Sequence, residues 1–154
     1  MSAVVLSPEP RLRPMREADL PRVLEVETAA YEFPWTLAIF RDCLRVGYHC
    51  YVYELAGKPI GHGIVSLAAG ECHLLNICIH PDYQRCGLAT ALVSFLLDLA
   101  REKRTRMALL EVRIANAAAY RLYTKLGFDE VGIRKGYYPV HHGREDAIIL
   151  AREL

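Results

Sequence analysis

Gln84-Arg85-Cys86-Gly87-Leu88-Ala89 stands where a strand-like run hands over to a helix-like one. Upstream, Leu74-Leu75-Asn76-Ile77-Cys78-Ile79 is an almost unbroken apolar run of strand length, broken by Pro81 and Asp82. Downstream, Leu88 to Ala100 is rich in Leu and Ala, and Leu88, Leu92, Phe95 or Leu96, and Leu99 recur at helical spacing. A glycine at the first turn of such a helix lets the backbone come close to a ligand. The first N–H groups of the helix have no internal partner and sit at the positive end of its dipole. That combination suits a phosphate group. The strand–helix–strand passage through this loop is the one place where the chain needs a parallel strand pair.

The rest of the chain reads outward from there. Arg11 to Met15 alternates like a short strand, and Ala18 to Tyr31 has an apolar helical face opened by Asp19 and Pro21. Phe33-Pro34-Trp35 interrupts the helix, and Thr36 caps a second one running to about Val46. Tyr48–Leu55, Ile60–Leu67 and Glu71–His80 are strand-like and joined by short Gly-containing turns, which predicts an antiparallel meander. Met107–Val112 is a further strand. Asn116 caps a helix over 117–126, which Gly127 ends, with Phe128 packing back. Val131–Tyr137 and Asp146–Leu150 read as the last strands, with Tyr138 to Gly143 as a loop between them. The order predicts an α/β (α+β) fold: a mixed, mostly antiparallel twisted sheet flanked by helices on both faces. Residues 1–9 are expected to form a flexible tail and residues 10–154 a single domain.

The bulk numbers narrow the function. The 154 residues carry a formal charge of +1, which gives no global pull toward nucleic acid or acidic membranes. No apolar run reaches membrane-spanning length, and the first residues lack a signal-peptide pattern, so a cytoplasmic protein is expected. The five cysteines fit no zinc spacing, and the six histidines form no ligand constellation, so no metal is expected. Four of the cysteines read as buried thiols. Cys86, in the glycine loop, is either a reactive thiol at a helix N-terminus or a filler of a tolerant position. There is no Gly-Lys-Ser/Thr signature and no alternating dinucleotide-binding repeat. What remains is a diphosphate held by backbone amides.

Three features can carry chemistry. Glu111 lies inside the apolar run Leu109-Leu110-Glu111-Val112-Arg113, where a carboxylate is costly to bury unless paired. It is either a general base, its pKa raised by partial desolvation, or the partner of Arg113 on the same strand face. Tyr123 shares a helix face with Ala119 and Leu126 and is either a proton donor or a core tyrosine, with Tyr120 and Tyr137 as competitors. Phe33-Pro34-Trp35 is either a core staple or a cleft wall. His141-His142 reads as a solvated loop pair.

Together these stretches resemble the GNAT superfamily of acetyl-CoA-dependent N-acetyltransferases. Gln84 to Ala89 fits that family's Gln/Arg-x-x-Gly-x-Gly/Ala loop. The closer resemblance is to the RimI-type ribosomal-protein alanine N-acetyltransferases of bacteria. It is carried by Phe33-Pro34-Trp35, Asn76-Ile77, Leu110-Glu111-Val112-Arg113, Asn116-Ala117-Ala118-Ala119, Leu122-Tyr123, Leu126-Gly127-Phe128, Tyr137-Tyr138-Pro139 and Gly143-Arg144-Glu145-Asp146-Ala147. Cys86 and Ala89 depart from the family's usual polar residue and last glycine.

The resemblance implies Glu111 as proton acceptor and Tyr123 as proton donor. It implies acetyl-CoA as co-substrate, held along Ile77, Cys78 and Ile79, by Arg85, Cys86, Gly87, Leu88, Ala89 and Thr90, and at Asn116. Trp35, Tyr137 and Tyr138 are expected to line a peptide cleft. The implied partner is the N-terminal segment of a protein, expected to be a ribosomal one, with no nucleic acid or membrane contact and a monomer or weak dimer as the assembly. The alternatives are acetylation of a small amine or a lysine side chain, or a CoA-binding module without catalysis.

Overall fold

The computed structural model describes residues 9–154, so the part of the expected tail that falls on 1–8 lies outside the described residues. The strands are β1 (Arg11–Pro14), β2 (His49–Leu55), β3 (Lys58–Ala68), β4 (Glu71–Ile79), β5 (Met107–Arg113), β6 (Asp129–Val140) and β7 (Gly143–Glu153). The helices are α1 (Leu20–Ala30), α2 (Leu37–Arg45), α3 (Leu88–Glu102) and α4 (Ala117–Lys125). All seven strands form one sheet in the order β1-β2-β3-β4-β5-β7-β6. Every neighbouring pair is antiparallel except β4 and β5, the pair that flanks α3.

The helices divide between the two faces. Leu92, Val93, Leu96 and Leu97 of α3, with Tyr123 of α4, pack with Leu74, Leu110, Val112, Phe128, Ile148 and Leu150 on one face. Leu20 and Val23 of α1, with Phe40 and Cys43 of α2, pack with Cys50, Val52 and Ile64 on the other. Local chemistry sets the ends. Thr36 accepts a hydrogen bond from the amide of Ile39, and Asn116 accepts one from that of Ala119. Gly127, at φ +88°, closes α4 in the left-handed conformation that its missing Cβ permits.

Two local departures shape the site. Between β3 and β4, Ile64 faces Asn76 while Val65 faces Leu74, so Leu75 is an extra, unpaired residue. Such a bulge bends its strand and steepens its twist. On the other edge of β4, pairing with β5 runs only from Glu71↔Met107 to His73↔Leu109. Beyond that point β4 and β5 part, and the gap between them is the mouth of the cleft described below.

The extent of β6 corrects the sequence reading. Tyr138, Pro139 and Val140 belong to β6, and the connection to β7 is only His141-His142. A proline argues against a central strand, but β6 is an edge strand paired with β7 alone, where a missing N–H costs little. No described helix is long and apolar enough to cross a membrane.

Candidate active site

A cleft of about 340 Å³ opens where β4 and β5 separate. Its walls come from four parts of the chain. Leu74 to Ile77 supply one side and Leu110 to Arg113 the other. Asn116, Ala119 and Tyr123 of the α4 segment close the back, and Tyr31, Phe33, Trp35, Tyr138 and Pro139 close the front. Phe33 and Trp35 therefore line the cleft, and Trp35 also packs against Phe40 of the core. A second recess of about 390 Å³ adjoins it between the α1–α2 connection and the β6–β7 turn, lined by Tyr31, Phe33, Arg113, Asn116, His141 and Glu145 among others.

Glu111 faces this cleft from β5, and its side chain is only 10% exposed. Its partner is not Arg113. His73 Nε2 lies 2.6 Å from Glu111 Oε2, and Arg134 Nε lies 3.4 Å from Oε1. The hydrogen bond from His73 outweighs desolvation and, with the charge of Arg134, holds the carboxyl below its ordinary pKa. The expectation of a desolvated, raised pKa is thus reversed: burial does oppose ionisation, but the imidazole more than compensates. Tyr138 donates its hydroxyl to the carbonyl of Glu111 at 3.0 Å, which fixes the backbone of the same residue.

Arg113 is engaged elsewhere. Its guanidinium lies 5.0 Å from the Phe33 ring centroid and 4.4 Å from that of Tyr138, so it is stacked between the two cleft walls. It also donates to the carbonyl of Pro139 at 3.0 Å and lies 3.6 Å from Glu145. Near the recess, Glu32 and His141 are 2.5 Å apart and tie the α1–α2 connection to the β6–β7 turn. His141 is nonetheless solvated, as its pattern predicts, with its side chain 73% exposed.

Tyr123 lies at the back of the cleft, 8% exposed, with its ring edge-on to Phe128 at 5.6 Å. Burial pushes its phenol above the ordinary tyrosine pKa, so it holds its proton firmly. Of the competitors, Tyr120 is turned to Glu130 on the surface, and Tyr137 stacks against Tyr138 and Arg134 outside both cavities. Among the three aromatic residues expected to line a peptide cleft, Trp35 and Tyr138 do line it and Tyr137 does not. Pairing with β7 is irregular between Arg134 and Tyr138, and there the Tyr137 ring packs onto Tyr138 instead of entering the cleft.

The glycine loop is built as a cradle. Arg85 and Gly87 both have positive φ, +63° and +78°, and a Cβ on Gly87 would meet nothing within 4 Å. The loop is therefore open, and the first amides of the fifteen-residue α3 that follows have no helical acceptor. Gln84 donates to the carbonyl of Ile79 at 2.9 Å, anchoring the loop to the end of β4. Ile77 lines the cleft, while Cys78 and Ile79 are buried. Cys86 and Thr90 are exposed, Leu88 and Ala89 partly buried. Asn116 lines both cavities, but its Oδ1 is already used as the cap of α4. These features fit a diphosphate at the loop and a thioester in the gap.

Several site residues escape a sequence reading. Glu27 of α1 is 2% exposed and lines the cleft. Its Oε1 meets His62 Nε2 at 2.9 Å and Asn76 Nδ2 at 3.1 Å, and its Oε2 accepts the amide of Trp35 at 2.9 Å. This knot holds the α1–α2 connection onto β3 and β4, so Trp35 stays in the cleft wall. Cys78 lies close enough that its sulfur and the Glu27 and His62 ligand atoms fall within 4.8 Å. Tyr31 donates its hydroxyl to the carbonyl of Ile77. The available signal for Glu27 was a carboxylate on the apolar stripe of α1. His73 gave none, because its role depends on the β4–β5 register.

Comparison with known proteins agrees with this geometry. Residues 11–128 match the Acetyltransferase (GNAT) family. The chain is 40% identical over 137 residues to the [ribosomal protein bS18]-alanine N-acetyltransferase of Escherichia coli K12, covering 89% of this chain and 93% of that one. The crystal structure of the ribosomal-protein-S18-alanine N-acetyltransferase from Escherichia coli superposes with a TM-score of 0.88 at 38% identity, covering 94% of both chains. Ard1 from Thermoplasma volcanium superposes with a TM-score of 0.85 at 26% identity, covering 94% of this chain and 97% of that one. With its parted β4 and β5, its open glycine loop and these relatives, the chain belongs to the GNAT family of acetyltransferases.

Proposed function

We propose that this chain is a cytoplasmic N-alpha-acetyltransferase that moves the acetyl group of acetyl-CoA to the N-terminal alanine of a small-subunit ribosomal protein, by direct transfer in a ternary complex. The observation that carries this reading is Glu111, a nearly buried, ionised carboxylate facing the gap between β4 and β5, with Tyr123 at the back of the same cleft. Acetyl-CoA, when bound, supplies an activated acetyl group whose carbon the amine nitrogen attacks as the C–S bond breaks. Amides at the start of α3 hold the diphosphate. Alternate amides of β4 beyond His73 have no β5 partner, and one of them, at Ile77 or Ile79, polarises the carbonyl. Glu111 takes the amine proton. Tyr123 gives its proton to the departing sulfur. A thiol titrates near 8.5 and an ordinary tyrosine near 10, an uphill step of about 2 kcal/mol that burial enlarges, so Tyr123 gives up its proton only as the C–S bond breaks.

The acceptor follows from the base. An α-amine titrates near 7.7–8.0 and a lysine near 10.4, so the α-amine is easier to deprotonate by about 3–4 kcal/mol. A carboxylate held below its ordinary pKa suits the easier amine. An extended N-terminal segment fits between Trp35 and Tyr138, with the adjoining recess receiving the residues that follow. A polyamine-like acceptor fits poorly. Glu27 has both oxygens engaged, Glu25 pairs with Arg22, and Glu32 pairs with His141. The relatives named for ribosomal protein bS18 support the same acceptor class.

The test is CoA release with acetyl-CoA and peptides beginning with Ala, Ser or Met, beside an N-terminally blocked peptide with an internal lysine. The Ala peptide is expected to react fastest. Reaction of the lysine peptide alone would remove the α-amine assignment.

A further inference from the structure

His73 is a polar side chain at the last paired position of β4 before the gap. Its cross-strand partner is Leu109, so Glu111 lies one pleat further along the same face of the sheet. The two side chains meet at 2.6 Å, a short, charge-assisted contact. Their surroundings differ. The Glu111 side chain is 10% exposed and lines the cleft, whereas that of His73 is 34% exposed and lies outside the cleft lining. The pair therefore spans from the reaction site to water. The other charged or titratable groups facing it are Arg134, 3.4 Å from Glu111 Oε1, and Tyr138, both on β6; Arg113, on β5 itself, is turned to Glu145.

Resting on the acyl-transfer reading above, we propose that His73 is the positioning and proton-storing partner of Glu111: it holds the carboxylate through Nε2–H, and its other ring nitrogen, Nδ1, finally keeps the proton removed from the substrate amine. The steps balance. The substrate ammonium gives one proton to Glu111, which passes it through solvent to Nδ1, and the pair moves from a net charge of −1 to 0 as imidazolium and carboxylate. The neutral amine forms the C–N bond, the C–S bond breaks, and a second amine proton replaces the one Tyr123 gives to sulfur. The third stays on the amide. The pair then releases its proton to water.

The gain is one of matched acidities. Moving a proton from an α-amine to an ordinary glutamate is unfavourable by about three thousandfold, and to an ordinary imidazole by about twentyfold. A base that can pass its proton on to an imidazole narrows that gap. A carboxylate already depressed by its imidazole partner has more need of it than an ordinary one.

Two variants and two readouts test this. His73→Gln keeps an N–H donor for Glu111 and removes the titrating ring, and His73→Ala removes both. With the Ala peptide, each is expected to lose about a hundredfold in kcat/KM. Added imidazole is expected to raise the rate of H73A several-fold. In the protein without acetyl-CoA, NMR of labelled glutamate carboxyls is expected to show Glu111 titrating below the ordinary range and moving up in H73A. Wild-type rate in H73Q, no response of H73A to imidazole while acetyl-CoA still binds, or an unmoved Glu111 titration would each overturn the proposal. If the wild-type protein acetylates no amine, the acyl-transfer reading fails and proton storage with it, while the NMR titration still reports whether the two side chains are coupled.

Discussion

At the scale of single residues, the proposed chemistry turns on Glu111. Glu111→Gln keeps the shape of the side chain and removes the proposed base, so kcat is expected to fall by about 10²–10⁴-fold with acetyl-CoA affinity retained. Stopped-flow CoA release and calorimetric titration separate the two. Tyr123→Phe is expected to cost at least about tenfold in kcat, and a smaller loss would remove the phenol from the mechanism. Glu111 and Tyr123 were legible as candidates because a carboxylate in an apolar strand and a tyrosine on a core-facing helix each need a reason. The partners of Glu111 were not. Arg113 is two residues away on the same strand, but Phe33 and Tyr138, distant in sequence, take its guanidinium. His73 reaches Glu111 only because Cys72 pairs with Ala108 and His73 with Leu109, a parallel register that no local pattern encodes.

At the scale of elements, the loop before α3 and the start of α1 make separable predictions. Gly87 has φ +78° with open space around it, so an alanine there is strained without clashing. An L-residue in that conformation costs about 1–2 kcal/mol, and Gly87→Ala is expected to weaken acetyl-CoA binding by about five- to thirtyfold. Unchanged affinity by calorimetry would mean that the loop does not hold the diphosphate. Asp19, at the start of α1, accepts two hydrogen bonds from Arg13, both 2.8 Å, and one from the Arg16 amide. The Arg13 bonds outweigh desolvation and hold its carboxyl below the ordinary range. A depressed folded pKa gives stability that is present above the unfolded value of about 3.9 and lost as pH falls through the folded one. Asp19→Asn is therefore expected to destabilise the protein by about 1.5–3 kcal/mol at pH 7, with the gap from wild type closing below about pH 4 in urea melts. Most elements were legible from periodicity and caps, since Thr36, Asn116 and Gly127 act locally. The extent of β6 was not, because Pro139 is acceptable only once its strand is known to be at the edge.

At the scale of the whole molecule, the cleft is a product of topology. The bulge at Leu75 and the early end of β4–β5 pairing open the sheet beside the N-terminus of α3. The knot at Glu27 and the tie between Glu32 and His141 then bring the α1–α2 connection over that opening. The mixed sheet with helices on both faces was legible from element order, and the glycine loop marked the parallel step. The gap itself was not, since a one-residue bulge in an apolar run leaves no mark in periodicity. The central claim is that the opening holds an acetyl thioester beside Glu111 with its diphosphate on the amides that follow Gly87. A crystal structure with an inhibitor joining CoA through an acetyl bridge to an N-terminal alanine peptide tests it most directly. The account predicts the diphosphate on the amides from Gly87 to Thr90, and the bridging nitrogen within hydrogen-bond or one-water reach of Glu111. A diphosphate bound away from that loop, or a bridging nitrogen out of reach of Glu111, would contradict it.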